Sequence, residues 1–334
     1  MRIGLTFDLR DDYRALGFSE EEVAEFDSLE TIAAIEAALV RLGFEVERVG
    51  RLQALLERLV QGERWDLVFN ICEGLHGRSR EAQVPALLEA FGIPYTFADP
   101  LTCALTLDKA MAKRVIRDAG LPTAPFAVVS DVAEVAGIDL PLPLFAKPVA
   151  EGTGKGIGPR SRVESRDELA QVVRELLARW RQPVLVETWL PGREFTVGIV
   201  GTGAEARIVG VLEVVLRAEA EPAVYSLHNK EQCEELVDYR LVDDPEAREA
   251  ARVALAAYRV LEARDAGRVD LRSDARGLPH FLELNPLAGL HPTHSDLPIL
   301  ATLAGWSYDQ LIGAIVESCL ARTGFGRRAM LAAE

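Results

Sequence analysis

A chain of 334 residues, 49% hydrophobic and 27% charged, is long enough for two or three small domains and has the makeup of a water-soluble globular protein. Its net charge of −15 argues against nucleic acid and against anionic membrane surfaces, which both need basic surface, and leaves room only for a local basic pocket. Cys72, Cys103, Cys233 and Cys319 form no C-x-x-C pair and fit scattered thiols in a reducing compartment; the early charges of MRIGLTFDLRDD and the lack of a long apolar run make a cytoplasmic protein the expectation.

RIGLTFDL at 2–9 reads as an apolar strand. Ile32, Ile35, Leu39 and Leu42 keep helical spacing, Gly43 stops that helix, and FEVERV alternates as a second strand. WDLVFNIC at 65–72 is a third strand, with EAQVPALLEAFG a helix behind it. Strand–helix alternation of this kind predicts a parallel sheet covered by helices, a small α/β domain over about 1–105. TLDKAMAKRVIRDAG at 106–120 predicts one helix ended by Gly120, and Pro122 and Pro125 mark a joint. Short strands then dominate: FAVVS, LPLFAKPV, PVLVETWL, EFTVGIV and ARIVGVLEVVL. Helices are expected at 166–181, 245–263 and 307–320, and the tail at 325–334 has no periodicity and reads as frayed.

Five stretches can carry chemistry. In VDLRSDARGLPHFLELNP at 269–286, Glu283 and Asn285 stand two apart and share a strand face; a hairpin return brings Arg268 and Asp270 beside them. These oxygens suit Mg²⁺, which takes few carboxylates and completes its shell with water and phosphate; a solvent-facing polar stripe is the alternative. LFAKPVAEGTGKGIGP at 144–159 ends a strand on Lys147 and alternates Gly152, Gly154 and Gly156 through a loop able to approach phosphates, although an unliganded hairpin turn would look alike. Lys109 in TLDKAMAKR is on its own a solvated charge. In VLVETWLPGREF, Glu187 and Glu194 bracket a connection against which a nucleotide base could lie, or are a pair of surface glutamates. NICEGLHGRSREAQ at 70–83 follows a parallel strand, and His76, Arg78 and Arg80 make it locally positive; such a loop is either a ligand site or purely structural.

Taken together and in order, these stretches resemble the ATP-grasp superfamily, and within it the D-alanine–D-alanine ligases, through most of residues 65–320. The resemblance implies an α/β protein of ATP-grasp fold: an N-terminal parallel α/β domain at 1–105, a central subdomain at 106–190 with the Gly-rich loop, and a C-terminal subdomain at 191–324 with the metal site, the two α+β subdomains clamping ATP. It implies phosphate contacts from Lys109 and Lys147, with Gly152, Thr153 and Gly154 in the loop. Glu187, Trp189 and Leu190 take the adenine linker, and Glu194 the ribose. Asp270, Glu283 and Asn285 take Mg²⁺, two ions being expected and Mn²⁺ able to substitute. Arg268, the Gly289 backbone and Lys230 of a closing loop (mobile around 217–240 without ligand) belong to the reacting centre, and His76 is counted with them. The implied activity is ATP-dependent ligation of a carboxylate to an amine through an acylphosphate, with ADP and phosphate released. The partners are small amino-acid or carboxylate and amine substrates, with no nucleic acid or membrane; a homodimer is compatible.

The chain departs from the family where amino acids are recognised. The usual Gly-rich start with its amino-binding glutamate is missing, leaving Glu25 and Asp27 as nearby candidates. Thr153 replaces a serine, Glu231 follows Lys230, and His294 stands near a position for a small hydroxyl residue, with Ser295 beside it. The 76–83 loop has Arg78 and Arg80 and is one residue short. The expectation is that ATP chemistry is kept and amino-acid specificity is altered, toward a larger polar or acidic substrate held by Arg78, Arg80, His294 and Ser295. A true D-alanine–D-alanine ligase, a non-catalytic ATP sensor and a phosphotransferase without an amine step stay open.

Overall fold

The structure, a computed structural model, describes residues 1–221 and 226–324; the expected frayed tail at 325–334 and part of the expected closing loop, 222–225, lie outside the described residues, as does the side chain of Glu231.

Strands β1 (Arg2–Phe7), β2 (Glu45–Gly50) and β3 (Leu67–Ile71) form a parallel sheet in the order β2-β1-β3. Every residue of β3 is buried, as a strand covered on both faces requires. The helix Leu29–Arg41 begins where the Ser28 hydroxyl accepts from the Thr31 N–H, and lays Ile32, Ile35, Ala38 and Leu39 on the sheet. The same core is completed from the far end of the chain by the helices Asp296–Leu303 and Tyr308–Thr323, through Leu297, Leu311, Ile312 and Ile315. Each such fully buried aliphatic side chain contributes about 1.5–3 kcal/mol of transfer free energy.

Two antiparallel sheets follow. β4 (Phe126–Val129), β5 (Leu144–Pro148), β6 (Arg162–Val163) and β7 (Val184–Thr188) assemble in the order β4-β7-β5-β6. The helix Arg166–Trp180 covers them with Leu169, Val172, Val173 and Leu176. β8 (Glu194–Val200), β9 (Arg207–Leu216), β10 (Val237–Leu241), β11 (Ala266–Ser273) and β12 (Pro279–Asn285) run β10-β9-β8-β11-β12. Their helix, Pro245–Val260, presents Ala247, Ala250, Ala254 and Ala257 around Val253 and Tyr258, small residues that let it lie close to the strands.

Two expectations are corrected here. The single helix over 106–120 is two helices, Pro100–Leu107 and Lys109–Asp118, broken at Asp108. Asp108 is extended, and its carboxylate accepts from the Met111 N–H at 3.0 Å; an N-capping aspartate competes locally with helix continuation. The break puts Lys109 at the first turn of the second helix, with its N–H on the Val149 carbonyl at 3.1 Å. The stretch around 217–240, expected to be mobile for want of apolar spacing with which to pack, does pack in its described part. Residues 226–241 form the short helices Leu227–Glu231 and Cys233–Leu236 followed by β10, and Cys233, Leu236 and Val237 pack with Val214 and Ala220. Val214 and Leu216 of that cluster precede the segment, and Ala220 is separated from Cys233 by twelve residues, so no periodicity within it announces the packing.

Candidate active site

The two antiparallel sheets face one another across a slot lined by Phe145, Ile157, Trp189 and Leu190 on its apolar walls and by Lys147, Glu187 and Glu194 among its polar groups. A chamber of about 690 Å³ lies beyond it, bounded by the N-terminal domain and the Gly-rich loop. Lys109, Lys230 and Glu283 line both, so slot and chamber meet at these three residues.

The β5–β7 pairing sets Lys147 and Glu187 on adjacent strands. Lys147 Nζ lies 2.8 Å from Glu187 Oε1, and Lys113 Nζ lies 2.8 Å from Oε2 of the same carboxylate. Burial works against the charge of Glu187, yet the two ammonium groups hold it down to about 2. Lys113 is fully buried, which lowers its own pKa, and it also donates to Thr123 Oγ1 at 2.8 Å and to the Phe281 carbonyl at 3.2 Å. Sequence reasoning missed Lys113 because Lys109–Asp118 reads as a charged amphipathic helix, on which any one lysine looks solvated.

At the mouth of the slot the Arg272 guanidinium stacks 4.3 Å from the centre of Trp189 and pairs with Glu194 at 3.0 Å. Arg272 is a second residue that the sequence reading left out, although it stands two beyond Asp270 on one strand face. In the Gly-rich loop Thr153 has a positive φ of 54°, Gly152 and Thr153 face the chamber, and Gly154 faces the slot. Gly156 cannot carry a side chain: φ is +72°, and a Cβ would come within 2.5 Å of Pro148 Cγ.

The hairpin return at 274–278 pairs Arg268 with Asn285 and Asp270 with Glu283 across β11 and β12. Asp270 is 8% exposed and accepts from Thr196 Oγ1 at 2.9 Å, Arg268 at 3.1 Å and Asn285 Nδ2 at 3.2 Å. Burial pushes it up to about 6, against the opposing pull of Arg268. Glu283 is held low: burial opposes its charge, but Lys109 at 3.2 Å, Lys147, Lys230 and Arg268 outweigh it. Two carboxylates and one amide of hard oxygen are too few to enclose a divalent cation and are what Mg²⁺ uses when phosphate oxygens supply the rest. The donor set therefore fits that ion. Arg268 also pairs with Asp296 at 2.5 Å, and Lys109 donates to the Glu151 carbonyl at 2.5 Å.

The chamber brings together Gly289, His294 and Ser295 with Arg268 and Asn285. A Cβ on Gly289 would sit 2.8 Å from Ser295 Oγ, which in turn accepts from the His291 N–H at 3.0 Å. The His294 pKa is raised by its contacts with Cys233 Sγ at 3.7 Å and Glu234 at 3.6 Å. Three expected contributions are corrected. His76 is exposed, its carbonyl accepts from Gln83 and its ring lies 6.3 Å from that of Phe18, and it does not line either cavity. Arg78 is also outside both; its side chain is 74% exposed and pairs with Asp108. Arg80 is buried at 8%, held by both oxygens of Glu25 at 2.9 and 3.2 Å and by the Ala150 carbonyl at 3.0 Å. Glu25 further accepts from the Gly152 N–H at 2.5 Å and pairs with Lys155 at 3.2 Å, so Arg80 anchors the N-terminal domain to the Gly-rich loop. The local turn at 76–80 decides these outcomes, and no periodicity encodes it.

Comparison with known proteins agrees with this geometry. The family model for the D-ala D-ala ligase C-terminus matches residues 115–317. A D-alanine–D-alanine ligase of Marinobacter nauticus is 37% identical over 92% of this chain and 93% of its own length. That of Nitrosococcus oceani is 32% identical over 89% of this chain and 90% of its own. An uncharacterized protein of Sinorhizobium fredii is 34% identical over 75% of this chain and 74% of its own. Among solved structures, the D-alanine–D-alanine ligase from Bacillus anthracis complexed with ATP superposes with a TM-score of 0.73 at 22% identity, covering 96% of this chain and 98% of that one. The VanG D-Ala:D-Ser ligase from Enterococcus faecalis gives 0.72 at 20% identity over 95% and 99%. The fold is therefore ATP-grasp, with a parallel sheet and two antiparallel sheets, and by sequence the chain belongs to the D-alanine–D-alanine ligase family.

Proposed function

We propose that the chain is an ATP-dependent ligase that joins the carboxylate of one small amino acid to the amine of another, releasing ADP and phosphate. The observation that carries this reading is the meeting of the apolar slot and the polar chamber at Lys109, Lys230 and Glu283. A nucleotide base fits the apolar walls of the slot, and Glu194 faces the same space for ribose hydroxyls. The γ-phosphoryl group would then reach the junction, where an amino-acid carboxylate in the chamber can meet it.

The residues at the junction suit that transfer. A carboxylate is a poor electrophile until its oxygen takes the phosphoryl group, and phosphoryl transfer depends mainly on positioning and neutralised charge. Lys109 and Lys147 stand ready for phosphate oxygens, and Asp270, Glu283 and Asn285 would hold Mg²⁺, which supplies further charge neutralisation when bound. Arg268, whose guanidinium lies beside Asp270 and lines the chamber, is placed to stabilise the oxyanion formed when the amine attacks the acylphosphate. Phosphate then leaves and the amide remains.

A screen of ADP release against amino acids taken in pairs, with product identified by mass, tests this. Amide product with one phosphate per ADP is expected. ATP binding without turnover for any pair would instead favour a sensor, and a stable phosphorylated product a phosphotransferase. D-alanine paired with itself belongs in the screen, because the curated relatives named above are D-alanine–D-alanine ligases.

A further inference from the structure

The sign of charge in the chamber is opposite to what the arginine-rich loop suggests. Asp27, Glu73 and Glu81 all line it. Among the described residues none of these three carboxylates has a hydrogen bond or ion pair, whereas neighbouring Glu25 has Arg80, Lys155 and the Gly152 N–H. Glu81 is the sharpest case: it is only 8% exposed. A buried carboxylate without a partner is costly, and native proteins retain one where something else satisfies it. The cations of the chamber are already engaged. Arg10 donates to the Phe26 and Ala24 carbonyls, Arg268 to Asp296 and Asp270, Lys109 pairs with Glu283, and Lys230 acts on Glu283 and Asp270.

We propose that the chamber selects an amino-acid substrate carrying a second ammonium group, a basic diamino acid, held by Glu73, Glu81 and Asp27. One α-ammonium group brings a single positive charge and can balance only one of the three carboxylates. A second ammonium on a side chain of a few methylenes adds up to three more donors and one more positive charge. A chamber of about 690 Å³ also has room for a side chain longer than a methyl group. Burial first, then Glu81 and Glu25, push Glu73 well up, and burial pushes Asp27 and Glu81 each up to about 7. A cationic ligand would relieve all three.

The proposal rests on the ligase reading only for the identity of the occupant, so binding is measured apart from turnover. Lysine and ornithine, in both enantiomers, are titrated calorimetrically into the enzyme with ADP and Mg²⁺ present, against their neutral counterparts norleucine and norvaline. A diamino acid of one hand should bind at least tenfold more tightly than its neutral counterpart, the scale of one buried charge-assisted hydrogen bond. Glu81→Gln and Glu73→Gln keep the side-chain shape and remove a buried group that ionises only at a cost, so both should fold, and each should cut that ratio several-fold. Equal or tighter binding of the neutral amino acid, no binding of either, or an unchanged ratio in both variants overturns the proposal. Tight diamino-acid binding with no amide product from any partner would leave the selectivity standing and refute the ligase reading; amide formation that prefers neutral amino acids would do the reverse.

Discussion

Replacing Glu187 with Gln removes the one negative charge shared by two buried ammonium groups. The carboxylate lies 2.8 Å from both Lys113 Nζ and Lys147 Nζ, and the three side chains are 4%, 0% and 6% exposed. The trio carries one net positive charge; Glu187→Gln raises it to two, while Lys113→Met leaves a neutral Lys147–Glu187 pair. Breaking a buried pair by removing the shared partner costs about 3–5 kcal/mol. Lys113→Met loses hydrogen bonds to Glu187, Thr123 and Phe281 but strands no net charge, a cost of about 1–3 kcal/mol. Glu187→Gln should therefore lower the melting temperature by about 10 °C and Lys113→Met by roughly half of that. The pH dependence has a definite sign. The folded pKa of Glu187 is depressed from 4.5 to about 2, so its stabilisation is present above 4.5 and is lost as pH falls toward 2. The gap between wild type and Glu187→Gln should narrow across that window in thermal melts. If Lys113→Met is the more damaging variant, or the gap is constant with pH, the charge argument is wrong.

Three further outcomes follow from other residues. Asp27 and Glu81 have folded pKa values raised to about 7 from 3.8 and 4.5, so the stability of the ligand-free protein should fall as pH rises from about 4.5 through 7. Asp27→Asn combined with Glu81→Gln should flatten that slope in melts from pH 5 to 8; an unaltered slope would remove these groups as its source. Arg272→Ala takes away the cation stacked on Trp189 and the partner of Glu194, and should raise the KM for ATP about tenfold with little change in the amino-acid KM; the reverse pattern would take Arg272 out of the nucleotide slot. Gly156→Ala forces a methyl group against Pro148 at a φ of +72° and should cost about 2 kcal/mol or more in a denaturant titration, and a neutral result would contradict the packing described.

What the sequence makes legible is what short-range rules encode. Arg268, Asp270, Glu283 and Asn285 share a site because a period of two and a hairpin return leave little freedom, and the register is as that rule requires. The helix starting after Ser28 is legible from its cap and its apolar spacing. Non-local pairings are not. Arg80 looks like an exposed cation until Glu25, 55 residues away, is folded onto it. Lys113 looks solvated until β7 brings Glu187 beneath it. The break at Asp108 is within reach, since aspartate is a favoured N-cap residue, but the apolar spacing on either side hides it. The error over chamber charge has the same origin: the arginines of the loop are visible in sequence, and the carboxylates that engage them are distant.

The central claim is that ATP activates a carboxylate by transferring its γ-phosphoryl group to it. The direct measurement uses an amino acid labelled with ¹⁸O in both carboxylate oxygens, with a productive partner and unlabelled ATP. An acylphosphate loses one carboxylate oxygen to the phosphate when the amine attacks, so the released phosphate should carry one ¹⁸O and the amide product the other. Unlabelled phosphate, or label recovered in a nucleoside monophosphate, would contradict the account.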